Sequence, residues 1–482
     1  MKYIVGIDQS TQGTKAVLFD ESGRLIGRAD RKHRQIIDEN GWVSHDLGEI
    51  YSNTLLAVRD VVQKTGIDKE KIEAVGISNQ RETTAIWDRS GMPLAPAVVW
   101  QCSRAEAIAK RFEREGRLIY EKTGLPLSPY FPASKMRWLL EHVEHNGEFC
   151  LGTMDSWLVY RLTGNQEFRT DVSNASRTQL FNLETLSWDE ELCRLFAIPM
   201  EALAKICDSN EAFGYTDFDG YLEHKIPIHG VMGDSHAALF GQGCHRSGMA
   251  KATYGTGSSI MMNTGEKRIH STHGLATSLA WSMNGQVHYV LEGNINYTGA
   301  VISWLVDNVR LIGSPAELAG CVRGANPQDQ TVLIPAFSGL GAPHWNSEAK
   351  AMIYGMTRTT GKNEIVKAAV ESIAYQVADV MKAMKEDSGE LPATLRVDGG
   401  PTKNDYLMQF QSDIAGTQIA VSKQEELSAI GAAYMAGMAI GMYQAEIFDN
   451  LEYTDYNPGM AEGMRAECWD RWNEAIGLVT GK

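Results

Sequence analysis

The sequence predicts an α/β protein built as two similar halves with a cleft between them. Three observations carry this prediction. At 482 residues the chain is too long for one ordinary core, so two or three domains are expected. Strand-like and helix-like stretches follow one another in both halves. A glycine- and hydroxyl-rich hairpin opens each half: Asp8-Gln9-Ser10-Thr11-Gln12-Gly13-Thr14-Lys15 near the start, and Tyr254-Gly255-Thr256-Gly257-Ser258-Ser259 past the middle. Glycine density rises at Gly241–Gly248, which places the boundary there and gives domains of residues 1–243 and 244–482.

The elements follow in order. Tyr3–Asp8 is an apolar strand, Gln9–Gly13 a turn, Thr14–Asp20 a strand, and Leu25–Arg31 completes a meander. Asp46 caps a helix whose apolar residues Leu47, Ile50, Tyr51, Leu55, Val58, Val61 and Val62 share one face up to Gly66. Ile72–Ser78 is a strand that delivers Asn79-Gln80-Arg81-Glu82-Thr83-Thr84, and Ala97–Trp100 is a further apolar strand. In the second half, Met249–Tyr254 and Ser259–Asn263 flank the second turn. An amphipathic helix runs from Asn363 to about Lys385, followed by a strand at Thr394–Asp398 and a Gly-Gly turn. A helix over about Lys403–Ala415, a strand at Gln418–Val421 and a final helix from Ser428 complete the chain.

Composition narrows the function. Apolar residues at 43% and charged residues at 22% are the proportions of a soluble globular protein. A net charge of −15 argues against nucleic-acid binding, which needs a broad basic face. Any phosphate must therefore be held by local donors. The seven cysteines form no Cys-x-x-Cys pair, which reads as reduced thiols in a cytoplasmic protein. No apolar run has signal-peptide or transmembrane length, so no membrane insertion is expected. The histidines lack metal-ligand spacing, and neither a Walker-A pattern nor a Gly-x-Ser-x-Gly elbow occurs.

Four segments can carry chemistry. Arg81-Glu82 beside small hydroxyl side chains can grip adjacent hydroxyls of a small polyol, and Asp234, after Gly233, can take a proton from one of them. The two hairpins can offer backbone N–H groups and hydroxyls to phosphates, or be ordinary turns; Asp8 can hold Mg²⁺ through water. Asp398-Gly399-Gly400-Pro401-Thr402-Lys403-Asn404 lets backbone approach a flat ligand or phosphate, or is a tight strand-to-helix turn. Trp100 and Tyr130 can wall a small pocket, or be core aromatics. Together these features suggest a kinase acting on a sugar-like alcohol.

The same motifs, in this order, resemble the FGGY family of carbohydrate kinases in its glycerol kinase branch, from Gly6 to about Gly441. The resemblance includes Gly6-Ile7-Asp8-Gln9, Asn79–Thr84, Val99-Trp100-Gln101-Cys102, Tyr130–His142, Asp171–Thr178, Phe337–Pro343, Ala351–Glu371 and Asp398-Gly399-Gly400. It implies two domains of the actin/hexokinase/Hsp70 type, each with a ribonuclease-H-like core, and ATP and Mg²⁺ as cofactors. By position, Arg81, Glu82, Tyr130, Asp234 and Ser235 would meet the polyol, Trp100 would wall it, and Asp234 would be general base. Thr11, Gln12, Gly13, Thr14 and Lys15 would meet the phosphates from one side, and Thr256 and Gly257 from the other. Gly299, Gly399, Gly400 and Asn404 would line the nucleoside, and Asp8 with Asp234 would position the metal. A homo-oligomer, dimer or tetramer, is also expected.

The chain departs from the glycerol kinase pattern at three places. Ser235-His236 follow the catalytic aspartate where Gln is usual, Ser259 stands where Phe is usual, and the first turn reads Gln9-Ser10-Thr11-Gln12-Gly13 rather than Gln-Gly-Thr-Thr-Ser. Neutral drift is one reading; the other is a roomier, more polar site for a four- or five-carbon polyol or ketose. The alternative of another class is an actin-like ATP-binding regulatory protein without phosphoryl transfer.

Overall fold

The computed structural model describes residues 1–145 and 147–481. Two large mixed sheets dominate it, and they share a plan. In the first, Leu25–Lys32, Gly13–Asp20 and Tyr3–Gln9 form an antiparallel meander; Ile72–Asn79 and Ile226–Gly233 continue it in parallel, and Tyr215–Thr216 closes the far edge antiparallel. The second sheet runs antiparallel through Ala276–Met283, Gln286–Ile295, Ser258–Gly265 and Ala250–Tyr254. It then runs parallel through Thr394–Gly399 and Gln418–Ser422, with Tyr453–Tyr456 as its antiparallel edge. The duplication expected from the two hairpins is thus a duplication of sheet topology.

Helices cover both sheets. The Leu47–Thr65 helix is capped by Asp46, which accepts from the Glu49 N–H, and ends at Gly66 in the left-handed region, as its sequence predicts. The Lys362–Ser388 helix buries an apolar stripe against the second sheet. The Leu427–Ala439 helix, although late in the chain, lies on the first sheet. Glycines admit it: a Cβ on Gly6, Gly76 or Gly230 would lie 2.7, 2.2 or 2.3 Å from the carbonyl oxygens of Ala429, Ala432 and Ala432 respectively. Side chains at these positions would hold helix and sheet apart.

Several expectations need correction. The strand at residue 97 ends at Val98, so Trp100 stands in the following turn. The helix expected near Lys403 starts at Asp405, because Gly400–Lys403 is a 3₁₀ turn and Asn404 is the cap. The helix at Leu427 is not the last element: Tyr453–Tyr456 and the Glu462–Thr480 helix follow. That last helix buries only Cys468, Trp472, Ala475 and Ile476, too thin a stripe to read as periodicity. A five-stranded sheet, built from Ile36–Ile37, Val43–His45, Ala97–Val98, Thr84–Asp88 and Phe149–Thr153, was also not foreseen; two of its strands have only two residues. All seven cysteines are free and buried. Among the described residues no helix is long and apolar enough to cross a membrane.

Candidate active site

The first sheet places Asp8, Arg81 and Asp234 along one edge. Asp8 pairs with Ser78 and Gln9 with Asn79 on the neighbouring strand, and Asn79 pairs with Gly233 on the next. Each residue of interest therefore sits at or just beyond the carboxyl end of a strand, where open α/β sheets hold ligands. Asp234 is the first residue of the Asp234–Gly241 helix, and its Oδ1 accepts from the Ser235 N–H at 2.6 Å.

Beside it lies a line of five alternating charges. Glu82 Oε1 accepts from Arg177 Nε at 2.7 Å, and Arg177 Nη1 pairs with Glu292 Oε2 at 2.8 Å. Glu292 receives both terminal nitrogens of Arg81, at 3.0 and 2.8 Å, and Arg81 Nε lies 3.3 Å from Asp234 Oδ1. Ser259 adds a hydrogen bond to Glu292 Oε1 at 2.9 Å. Burial opposes the charge on Arg81, but Glu292, then Glu82 and Asp234, outweigh it and hold the guanidinium protonated. Burial likewise opposes ionisation of Glu292, and Arg177 and Arg81 bring its carboxyl well below the usual range. Glu82 is in the left-handed region at φ 59°, uncommon for a non-glycine residue.

The two aromatics expected to wall the pocket stand together. Trp100 and Tyr130 pack edge-on with centroids 5.6 Å apart, and Trp100 Nε1 donates to Thr11 Oγ1 at 2.9 Å. Thr11 thus ties the first turn to this pair. Lys15 is held by Glu426 at 2.7 Å, and Thr14 is buried with no hydrogen-bond partner for its hydroxyl among the described residues. His236 is buried; burial and Arg81 push its pKa far down, so it is neutral, with Nδ1 without a partner among the described residues and Nε2 3.3 Å from Ser278 Oγ.

Asp8 is buried, and its Oδ1 accepts from Ser78 Oγ at 2.9 Å. Burial pushes its carboxyl up to about 6; Lys15 lowers it and the neighbouring Asp234 raises it. Two mutually repelling carboxylates suit a cation between or beside them. Among the described residues no group of three or more His, Cys, Asp or Glu could hold a metal unaided. The set fits Mg²⁺, which takes one or two carboxylates and fills its other positions with water and phosphate oxygens.

The second sheet supplies turns. Gly255 N–H bonds Gly257 O at 2.8 Å, while the Thr298 and Ala300 N–H groups bond Thr256 O and Gly299 N–H bonds Gly255 O, stacking the turn on the start of the Gly299–Ser303 helix. Gly399 has φ 108°, and a Cβ there would lie 2.0 Å from Tyr254 O. Asn404 uses its carbonyl to cap the next helix at Leu407 N–H, leaving its amide nitrogen available. Gly299, Gly400 and Asn404 line a cavity of about 680 Å³ with Ile302, Leu318 and Val322. A second cavity, about 570 Å³, joins Asp8 and Lys15 to Asp398, Gly399, Lys403 and Ser428. Beneath both turns, Asp398 Oδ1 accepts from Thr253 Oγ1 and Gln242 Nε2, each at 2.9 Å.

Sequence reasoning missed Arg177, Glu292 and the apolar cavity residues. Arg177 lay in the noted stretch Asp171–Thr178 but carried no local signal for a charge partner, and Glu292 sits inside an ordinary strand.

Comparison with known proteins identifies the family. Models of the FGGY family of carbohydrate kinases match residues 3–241 (N-terminal domain) and 250–440 (C-terminal domain). The chain is 46% identical to glycerol kinase 1 of Thermotoga maritima, covering 98% of this chain and 99% of the relative. The crystal structure of Plasmodium falciparum glycerol kinase with ADP superposes with a TM-score of 0.92 at 36% identity, covering 99% and 98% of the two chains. Xylulose kinase from Lactobacillus acidophilus, at 23% identity and a TM-score of 0.90 over 99% and 98%, shares the fold. With both family models matched and a relative similar from end to end, the chain belongs to the FGGY family of carbohydrate kinases.

Proposed function

We propose that this kinase transfers the γ-phosphoryl group of ATP to a terminal hydroxyl of a small polyol or ketose, with Asp234 as general base. The observation that carries this reading is the line of charges ending on Asp234 beside the Trp100–Tyr130 wall. Arg81 is gripped by Glu292 on one edge of its guanidinium, so its outward N–H groups can donate to substrate hydroxyls, and Glu82 can accept from them. Asp234 takes the proton of the terminal hydroxyl as its oxygen attacks the γ-phosphorus; the bond to the bridging oxygen breaks and ADP leaves. The two glycine turns offer backbone donors to the phosphates, and the cavity of Gly299, Gly400 and Asn404 has the size and apolar lining for a nucleoside. Asp8 and Asp234 would hold Mg²⁺, which neutralises charge on the phosphates when bound.

The preferred alcohol is a four- or five-carbon chain. Ser235 and Ser259 are small and half-buried beside Asp234 and Arg81. Ser259 spends its proton on Glu292, so toward a substrate it can only accept, which suits an additional hydroxyl. Glycerol is the second reading, favoured by the name of the Thermotoga relative.

A coupled ADP-release assay across glycerol, tetritols, pentitols and ketoses tests both levels. The longer substrates are expected to exceed glycerol by about tenfold in kcat/KM, and Ser235→Gln with Ser259→Phe to shift preference back. Glycerol outperforming every longer alcohol would sink the chain-length reading. No alcohol-dependent ADP release at all would sink the kinase reading and favour an actin-like regulatory protein.

A further inference from the structure

The Pro132–His142 helix carries a lysine that the chemistry above does not use. Lys135 has no exposed surface. It is the fourth residue of that helix, near the N-terminal end, where the helix dipole adds positive potential. Burial drives its pKa down to about 7; Glu82 and Cys102 pull it up and Arg104 pushes it down. Glu82, though, is paired with Arg177. A cation so placed is unfavourable on two counts, burial and dipole.

Its partners are two successive backbone carbonyls. Nζ donates to Pro129 O at 2.6 Å and to Tyr130 O. The other bonds of this loop are internal to it: Tyr130 N–H to Ser128 Oγ at 3.2 Å and Phe131 N–H to Ser128 O at 3.3 Å. The lysine thereby fixes the loop to the helix directly beneath the ring that faces Trp100 at 5.6 Å and Phe131 at 5.1 Å.

We propose that Lys135 is a positioning residue for the alcohol site, holding Tyr130 against the substrate by donating to both carbonyls of its loop. The proposal rests on the reading of Tyr130 as part of that site. Hydrogen bonds from a charged donor are about twice as strong as neutral ones, so the hold loosens as the amine loses its proton. The charged and titratable groups facing it are Glu82 from the loop after Ile72–Asn79, Cys102 and Arg104 from the segment after Trp100, and Tyr130 itself.

Lys135→Met keeps the volume without the donor, and Lys135→Arg keeps a donor whose charge is permanent. Steady-state kinetics with glycerol and a pentitol as probes, between pH 6 and 8.5, together with Tm, test the idea. In Lys135→Met the alcohol KM should rise about tenfold, while kcat and the KM for ATP change by less than about threefold. The unmodified enzyme's alcohol KM should rise as pH passes about 7, and both variants should lose that rise. Lys135→Arg should recover most of the lost affinity at pH 8. A folded Lys135→Met enzyme with unchanged alcohol KM, or a lowered Tm with both KM values intact, overturns the proposal. If Lys135→Met does not fold, an unaltered pH slope in Lys135→Arg overturns it instead. Tyr130→Phe separates the two readings: if it leaves the alcohol KM unchanged, Tyr130 lies outside the site. If it raises that KM while Lys135→Met does not, only the role of Lys135 fails.

Discussion

The groups we assign to the alcohol are side chains, buried and paired with one another; those we assign to the nucleotide are backbone turns, open and shaped by glycine. Arg81, Glu82, Arg177 and Glu292 are each at most 6% exposed. Thr256, Gly399 and Gly400 are exposed. The first arrangement is held by charge, which resists displacement but suffers badly when one member is removed. The second is held by sterics: the turn at Gly399 keeps its shape because nothing larger fits against Tyr254. Damage on the alcohol side should therefore reach affinity and stability together, and damage on the nucleotide side should reach ATP first.

Asp234→Asn gives the sharpest break. It keeps the shape and removes the proton acceptor, so kcat should fall by about 10²–10⁴ with ATP affinity nearly intact, measured by single-turnover kinetics and nucleotide titration. Near-normal turnover would remove Asp234 from the role of base.

Glu292→Gln comes next. It leaves two buried guanidiniums sharing a neutral amide, so denaturant unfolding should register a loss of about 3–5 kcal/mol, accompanied by a raised alcohol KM. A stable variant with lost ATP affinity would reverse the comparison.

Asp8 provides a pH-dependent test with the opposite sign. Its folded-state pKa, about 6, lies above the ordinary aspartate value of 3.8. Below the lower value both states are protonated and nothing is lost. Between the two the unfolded chain ionises first, so stability declines as pH rises, and above the upper value the penalty is constant, on the order of 2–3 kcal/mol. Asp8→Asn should therefore be more stable than the unmodified protein at pH 8 and lose that advantage as pH falls from 6 toward 4, while its turnover collapses. Equal stability at pH 8 would mean the carboxylate is well solvated.

Gly399→Ala is the mildest. The left-handed backbone and the contact with Tyr254 O should together cost about 1–3 kcal/mol, appearing as a raised KM for ATP with the alcohol KM unchanged. A parallel rise in both would show the two sides to be mechanically one.

The same contrast explains what could be read from sequence. The hairpins at residues 8–15 and 254–259 and the Gly399-Gly400 turn are local devices whose residue types announce their geometry, so the duplicated fold and its glycine turns were legible. The charge line was not. Its members come from distant segments, with Arg81 and Glu292 separated by 211 positions, and nothing near Glu292 distinguishes it from any strand glutamate. Strands of two residues, such as Ala97–Val98, have no periodicity to detect, which hid the small sheet and put Trp100 on a strand instead of in a turn. The partner of Lys15 was hidden for the same reason: Glu426 lies 411 positions away.

The row of glycines under the Leu427–Ala439 helix has a consequence for how the protein is made. By the time Gly233 leaves the ribosome, every strand of the first sheet exists, yet the helix that seals Ile4, Val17, Phe19 and Ala74 is still unmade. It follows roughly 190 residues later, and at about 5–20 residues per second the delay is on the order of ten to forty seconds. During that interval the nascent sheet presents a bare apolar face with a groove shaped for a closely packed helix, a template for chaperones to shield and for neighbouring chains to mispair with.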